Sequence, residues 1–211
     1  MKIVVFGIGF VGGAIVRELA GRGHEVTAVS RSGRADLPAQ VNSVAGGVHD
    51  PAFLTSVTSK ADAIVSALPA VSPDGGLGAA VTDLVPAAQA SGARLGVVGG
   101  ASIIPVVEGG PREGDTPAFP AKFAPLTDAH QEALDILNAA PRDVDWFYLV
   151  PGGEFGPRNP GTRTGSYRTS SISQVTGDDG HSRLGVADYA IAFADELETP
   201  RTHRAWLAIG Y

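Results

Sequence analysis

The run Lys2-Ile3-Val4-Val5-Phe6-Gly7-Ile8-Gly9-Phe10-Val11-Gly12-Gly13 constrains this chain more than any other segment. An apolar strand enters G-x-G-x-x-G and continues into an amphipathic stretch that ends near Ala20. In that context each glycine has a separate expected task in cradling a dinucleotide. Gly7 makes the tight turn, Gly9 lets the backbone approach a pyrophosphate, and Gly12 lets the helix close on the strand. Phe10 and Val11 open the helix, whose free N–H groups and positive dipole end face the phosphates. With 28 glycines in the chain the spacing alone would be weak. The strand before it and the helix after it give it force.

The same segment has a rival reading, since Lys2 is followed by uncharged residues from Ile3 to Val16, as in a secretory leader. The stretch runs straight into Arg17-Glu18 without a small-x-small cleavage site, so it is read as folded core. No other segment approaches the length of an apolar membrane span. A net charge of -6 with scattered basic residues points away from nucleic acid and anionic membranes, and toward a small-molecule substrate. With 0 cysteines, disulfides, thiol nucleophiles and thiolate metal sites are excluded, which fits a cytoplasmic setting. The histidines His24, His49, His181 and His203 show no ligand spacing, so no metal is expected. No G-x-S-x-G elbow is present either.

Strand-like runs at Lys2 to Phe6, His24 to Ser30, Val41 to Ala45, Ala61 to Leu68, Arg94 to Val98 and Val144 to Val150 alternate with helical patterns near 11–22, 51–58, 77–91 and 127–139. Several strands are continuously apolar rather than alternating, the mark of a sheet covered on both faces. The expected fold class is therefore α/β: a Rossmann-type, doubly wound, mostly parallel sheet with helices on both faces, in one domain spanning 1–211. Loops at about 101–126 and 151–181 are long enough to be substrate-side walls. The tail from Ser182 reads as a short strand, a helix to about Leu197 and a last strand from Ala205 to Ile209, with Asp188 as a helix cap.

The second strand ends Val29-Ser30-Arg31-Ser32-Gly33-Arg34, with no carboxylate before Asp36. An acidic residue there would hold the 2′-hydroxyl of NAD, whereas Ser30, Arg31 and Arg34 make a clamp for the 2′-phosphate of NADP. NADPH is the expected cofactor.

Further motifs carry a resemblance: Arg22-Gly23-His24-Glu25-Val26-Thr27, Asp62-Ala63-Ile64-Val65-Ser66-Ala67, Val97-Val98-Gly99-Gly100-Ala101-Ser102, Leu126-Thr127-Asp128-Ala129-His130, Arg163-Thr164-Gly165-Ser166-Tyr167 and Ala187-Asp188-Tyr189-Ala190. With the glycine run, they make the chain resemble the atypical short-chain dehydrogenase/reductase group of NAD(P)H-binding, NmrA-like proteins and NAD(P)H-flavin reductases. It is more distantly similar to the biliverdin reductase B family. The glycine turn is one residue shorter than that group's usual G-A-T-G-x-x-G, and its G-D-V is Gly46-Gly47-Val48 here. None of the 4 tyrosines begins Tyr-x-x-x-Lys, the acid of ordinary short-chain dehydrogenases.

The resemblance implies Ser102 beside the nicotinamide and His130 reaching toward the site, with a capping role behind Thr127 or Asp128 as the alternative for the histidine. Ser66, Leu68 and Pro69, after the fourth strand, should pass under the cofactor's ribose and nicotinamide. Arg163 and Tyr167 either border the acceptor or serve the loop. A carbonyl needs a proton at the developing alkoxide, but a flavin needs mainly hydride. The expected activity is therefore flavin reductase-like, from NADPH to a flavin or similar planar acceptor. The alternatives are a non-catalytic NADP(H) sensor, and an epimerase or carbonyl reductase with another acid.

Overall fold

The computed structural model describes residues 1–33 and 36–211. Arg34 lies outside the described residues. Among these, eight strands form one sheet in the order β3-β2-β1-β4-β5-β6-β8-β7. They are β1 (Lys2–Phe6), β2 (Glu25–Ser30), β3 (Asn42–Ala45), β4 (Ala63–Ser66), β5 (Arg94–Val98), β6 (Trp146–Val150), β7 (Arg168–Ser170) and β8 (Ala205–Gly210). All neighbours pair in parallel except β7 with β8. The fold is a Rossmann-type, doubly wound α/β sheet.

Helices α1 (Phe10–Gly21) and α5 (Val186–Glu198) cover one face, while α2 (Pro51–Thr58), α3 (Gly76–Ser91) and α4 (Ala124–Ala139) cover the other. Successive side chains on a strand point to opposite faces. In β6, Trp146, Tyr148 and Val150 accordingly enter the core beneath α3 and α4, and Phe147 and Leu149 enter the core beneath α1 and α5. This two-sided burial explains why β1, β4, β5 and β6 read as continuous apolar runs. The run that also read as a leader is the central strand β1 and the buried helix α1.

Beyond shifts of one or two residues at element ends, such as β4 ending at Ser66 rather than Leu68, three elements differ from the sequence reading. The segment after Ser182 forms no strand. The extra strand is β7, polar and three residues long, which pairs with the C-terminal half of β8. Helix α4 begins at Ala124 rather than near 127, because Pro125 sits in its first turn, where a missing N–H costs nothing. Thr127 is therefore a buried residue inside the helix and not its cap. Asp188 caps no amide of its own helix either. Its buried carboxylate accepts from the Thr164 amide at 2.9 Å, the Gly165 amide at 2.9 Å, the Thr164 hydroxyl at 2.8 Å and the Tyr211 hydroxyl. Burial alone would raise its pKa, but those four donors hold it below the usual value.

The start of β5 is tied to the loop before β8 by a buried ion pair. Arg94 donates to Glu196 at 2.9 Å, to Asp145 at 3.0 Å and to the Thr202 carbonyl at 2.5 Å, with its guanidinium 4.6 Å from the Phe147 ring centroid. Glu196 also accepts from the Arg201 and Thr202 amides.

Candidate functional site

A cleft of about 640 Å³ opens at the C-terminal ends of β1 to β6, over the point between β1 and β4 where the strand order reverses. Its floor is the loop from Gly7 to Val11. Its walls come from Val29 to Arg31 after β2, Gly46 to His49 after β3, and Ala67 to Ala70 after β4. Val98 and Gly99 at the end of β5, His130 of α4, and Phe155 to Pro157 after β6 complete it.

The three fingerprint glycines answer to different constraints. Gly7 has φ +90°, and a Cβ there would lie 2.5 Å from the Ala67 carbonyl oxygen. A Cβ on Gly12 would lie 1.8 Å from the Gly7 carbonyl oxygen and 3.0 Å from the Ala67 Cβ. Both are therefore required by the protein itself. Gly9 has ordinary extended backbone, φ −86°, and a Cβ there would meet nothing within 4 Å. The space over Gly9 is open cleft, so nothing in the fold itself requires a glycine there.

Gly9 is the residue before α1, and no side chain caps the helix, so its first-turn amides are left to a ligand. The buried Ser30 and Ser66 hydroxyls, at the ends of β2 and β4, have no hydrogen-bond partner among the described residues. Buried hydroxyls normally find one. An open backbone cradle with two unpartnered hydroxyls beside it fits a dinucleotide with its pyrophosphate over Gly9.

Arg31 is exposed on the cleft wall at the end of β2. Asp36, the first carboxylate after β2, faces Arg17 of α1 at 3.9 Å. Leu68 and Pro69 line the wall after β4. Ser102 lies in the 3₁₀ turn Ala101–Ile103, buried and outside the cleft lining. The 101–126 loop contributes nothing to that lining. It folds back on itself through a Pro105–Arg112 bridge and is bonded to the second loop by the Gln174 amide donating to Pro105 and the Gln174 side chain to Ala101. The second loop reaches the cleft only with Phe155, Gly156 and Pro157, where Phe155 packs between Phe10 and Tyr189.

Arg163 and Tyr167 lie elsewhere. Arg163 pairs with Glu18 of α1 at 2.7 Å, and the Tyr167 hydroxyl donates to Asp195 of α5 at 2.6 Å. They fasten the second loop to the helices beneath it and do not border the cleft.

His130 is the one ionisable imidazole at the inner end of the cleft. Its Nδ1 lies 2.6 Å from the Tyr148 hydroxyl, and burial lowers its pKa to about 4, so the ring is neutral at physiological pH. His49, at the outer end, pairs with Asp83 at 2.7 Å. Among the described residues, no group of three or more His, Cys, Asp or Glu side chains is arranged to hold a metal ion. No helix among them is long and apolar enough to cross a membrane.

Sheet order, glycine turn and cleft together define a Rossmann-type dinucleotide-binding protein. The profile of the NAD(P)H-binding family matches residues 7–197, and the chain belongs to that family. It is 36% identical over 207 residues to the uncharacterised protein YwnB of Bacillus subtilis, covering 95% of this chain and 93% of that one. A Streptococcus pneumoniae structure provisionally described as an NADH-flavin reductase is 31% identical, covering 100% of this chain and 99% of the other at a TM-score of 0.87. A Bacteroides thetaiotaomicron structure provisionally described as an epimerase is 30% identical, covering 100% and 96% at a TM-score of 0.86.

Proposed function

We propose that this NAD(P)H-dependent oxidoreductase takes its reducing equivalents from NADPH and reduces a flavin or a similar planar small molecule. The observation that carries this reading is the continuity of one cleft from the Gly9 cradle to the neutral imidazole of His130, through a largely apolar channel. When bound, NADPH supplies the hydride. The α1 amides and Gly9 hold the pyrophosphate. Arg31, with Ser30 beside it, offers charge and donors to a 2′-phosphate, and no carboxylate stands in the position that would repel one. Arg34 is assigned to the same clamp on sequence grounds alone.

Leu68 and Pro69 give an apolar wall for the ribose and nicotinamide, with Ser66 behind them, and Phe10 and Phe155 flank the mouth. These surfaces suit a flat ring that must stack and exclude water. A neutral histidine can donate one hydrogen bond but is a poor source of a full proton, which fits an acceptor that needs orientation more than acid catalysis.

The relative provisionally described as an NADH-flavin reductase supports the flavin acceptor, while its description names NADH rather than NADPH. The test follows NADPH absorbance with riboflavin, FMN, quinones and simple carbonyls. Steady turnover with the planar acceptors supports the reading. Tight NADP(H) binding with no acceptor reduced above the uncatalysed rate replaces it with a sensor.

A further inference from the structure

Two glycines at the end of β5 make room for two side chains from neighbouring elements. A Cβ on Gly99 would lie 2.4 Å from the ring of Tyr148 on β6, and a Cβ on Gly100 would lie 2.4 Å from the ring of His130 on α4. The rings so admitted meet nearly edge-on, at 84°, with Nδ1 and the phenol oxygen 2.6 Å apart. Tyr148 is 0% exposed, so this contact is made without competition from water.

The direction of the hydrogen bond follows from counting donors. Burial pushes the Tyr148 phenol well above its ordinary pKa, so it keeps its proton. The phenol has one hydrogen to give. Among the described residues, the only acceptor recorded for it is Nδ1 of His130. If Nδ1 carried the ring proton, the phenol hydrogen would be buried without an acceptor, which costs more than a hydrogen bond returns. The neutral imidazole therefore has its own proton on Nε2, which has no protein partner among the described residues and belongs to a side chain lining the cleft.

We propose that Tyr148 is a positioning residue that locks His130 as an Nε2–H donor aimed into the cleft, selecting acceptors that carry a carbonyl oxygen or an unprotonated ring nitrogen beside the reducible centre. Isoalloxazines and quinones have this chemistry. The inference rests on the hydride-transfer reading above for its catalytic part, but the tautomer stands on the protein alone.

Long-range ¹H–¹⁵N spectra of the full-length protein report the tautomer directly. The expected result is a neutral His130 protonated at Nε2. In Tyr148→Phe the spectrum should move toward a mixture of tautomers. The kcat with riboflavin or menadione should fall about tenfold, the worth of one hydrogen bond of orientation, with an unchanged KM for NADPH. His130→Gln places an amide N–H near the Nε2 position and should retain most turnover. In that background Tyr148→Phe should have no further effect.

A wild-type spectrum showing the proton on Nδ1 overturns the proposal, and it decides the matter even where Tyr148→Phe fails to fold. Turnover with spectrum and kcat both unchanged in a folded Tyr148→Phe protein overturns the positioning role alone. If no acceptor is reduced by the wild-type protein, the donor role falls with the hydride-transfer reading, while an Nε2–H spectrum lost in Tyr148→Phe still upholds the positioning.

Discussion

Substituting Gly9 separates what the fold needs from what the ligand needs. In Gly9→Ala the new methyl enters empty space, since nothing lies within 4 Å of it, and the backbone at φ −86° suits any L-residue. Two small effects oppose each other. Reduced freedom of the unfolded chain stabilises by about 0.4–1 kcal/mol, and loss of glycine from the helix N-cap costs a comparable amount. The net change in stability should stay within about 1 kcal/mol, or a Tm shift of roughly 2–4 °C for a chain of this size.

Binding should respond very differently. The methyl occupies the position where a pyrophosphate must approach the α1 amides, each bond to a charged group being worth about 1.5–3 kcal/mol. Losing one such bond predicts an NADPH affinity weaker by about 10- to 100-fold, at about 1.4 kcal/mol per decade. Gly9→Val should abolish measurable binding. Gly12→Ala is the contrasting control, because its methyl would lie 1.8 Å from the Gly7 carbonyl oxygen and must displace the turn. It should lose about 1–3 kcal/mol of stability or more, by overpacking. Titration calorimetry with NADPH beside urea denaturation measures both quantities on the same samples. Unchanged NADPH affinity in a folded Gly9→Val protein would refute the assignment of this cradle.

Arg31→Asp should weaken NADPH by about 1.5–3 kcal/mol while leaving NADH nearly unaffected; equal affinity of the unmodified protein for both cofactors would remove the basis for that preference. His130, lowered from 6.5 to about 4, should make the protein lose stability as pH falls. The unfolded state takes up a proton below pH 6.5 that the folded state refuses until about 4, so stability is full above that window and drops by about 1 kcal/mol between pH 7 and 5.5. Urea titrations at both pH values should show the drop in the wild-type protein and a smaller one in His130→Gln. Glu196→Ala should cost about 2–3 kcal/mol in denaturant unfolding, because it leaves two backbone amides unpaired and removes one of Arg94's two carboxylate partners, Asp145 remaining; a loss under 1 kcal/mol would show that water takes over those groups.

What the sequence made legible, and what it hid, divides along one physical line. Strands β1, β4, β5 and β6 announce themselves because burial on both faces demands unbroken apolar runs, and the glycine turn is local enough to read from spacing. Strand β7 is hidden because Arg168-Thr169-Ser170 has no intrinsic strand signal and exists only through its pairing with β8. Pro125 looks like loop punctuation until it is seen to start a helix. Asp188 has the position of a cap and instead gathers a loop and the chain's last tyrosine.

The candidate site follows the same rule. The roles proposed for Gly7, Gly9, Gly12 and Arg31 rest on backbone shape or exposed charge, which spacing conveys. His130 was visible as a residue type, but its meaning depends on Tyr148, which reads as an ordinary core aromatic in a buried strand. The signal for that pair was Gly99-Gly100. Two adjacent glycines leaving a parallel strand, outside any phosphate-binding turn, imply that something bulky must pass close to the backbone there. Only the tertiary structure says that it is a phenol and an imidazole in contact, the observation from which the position of one proton is inferred.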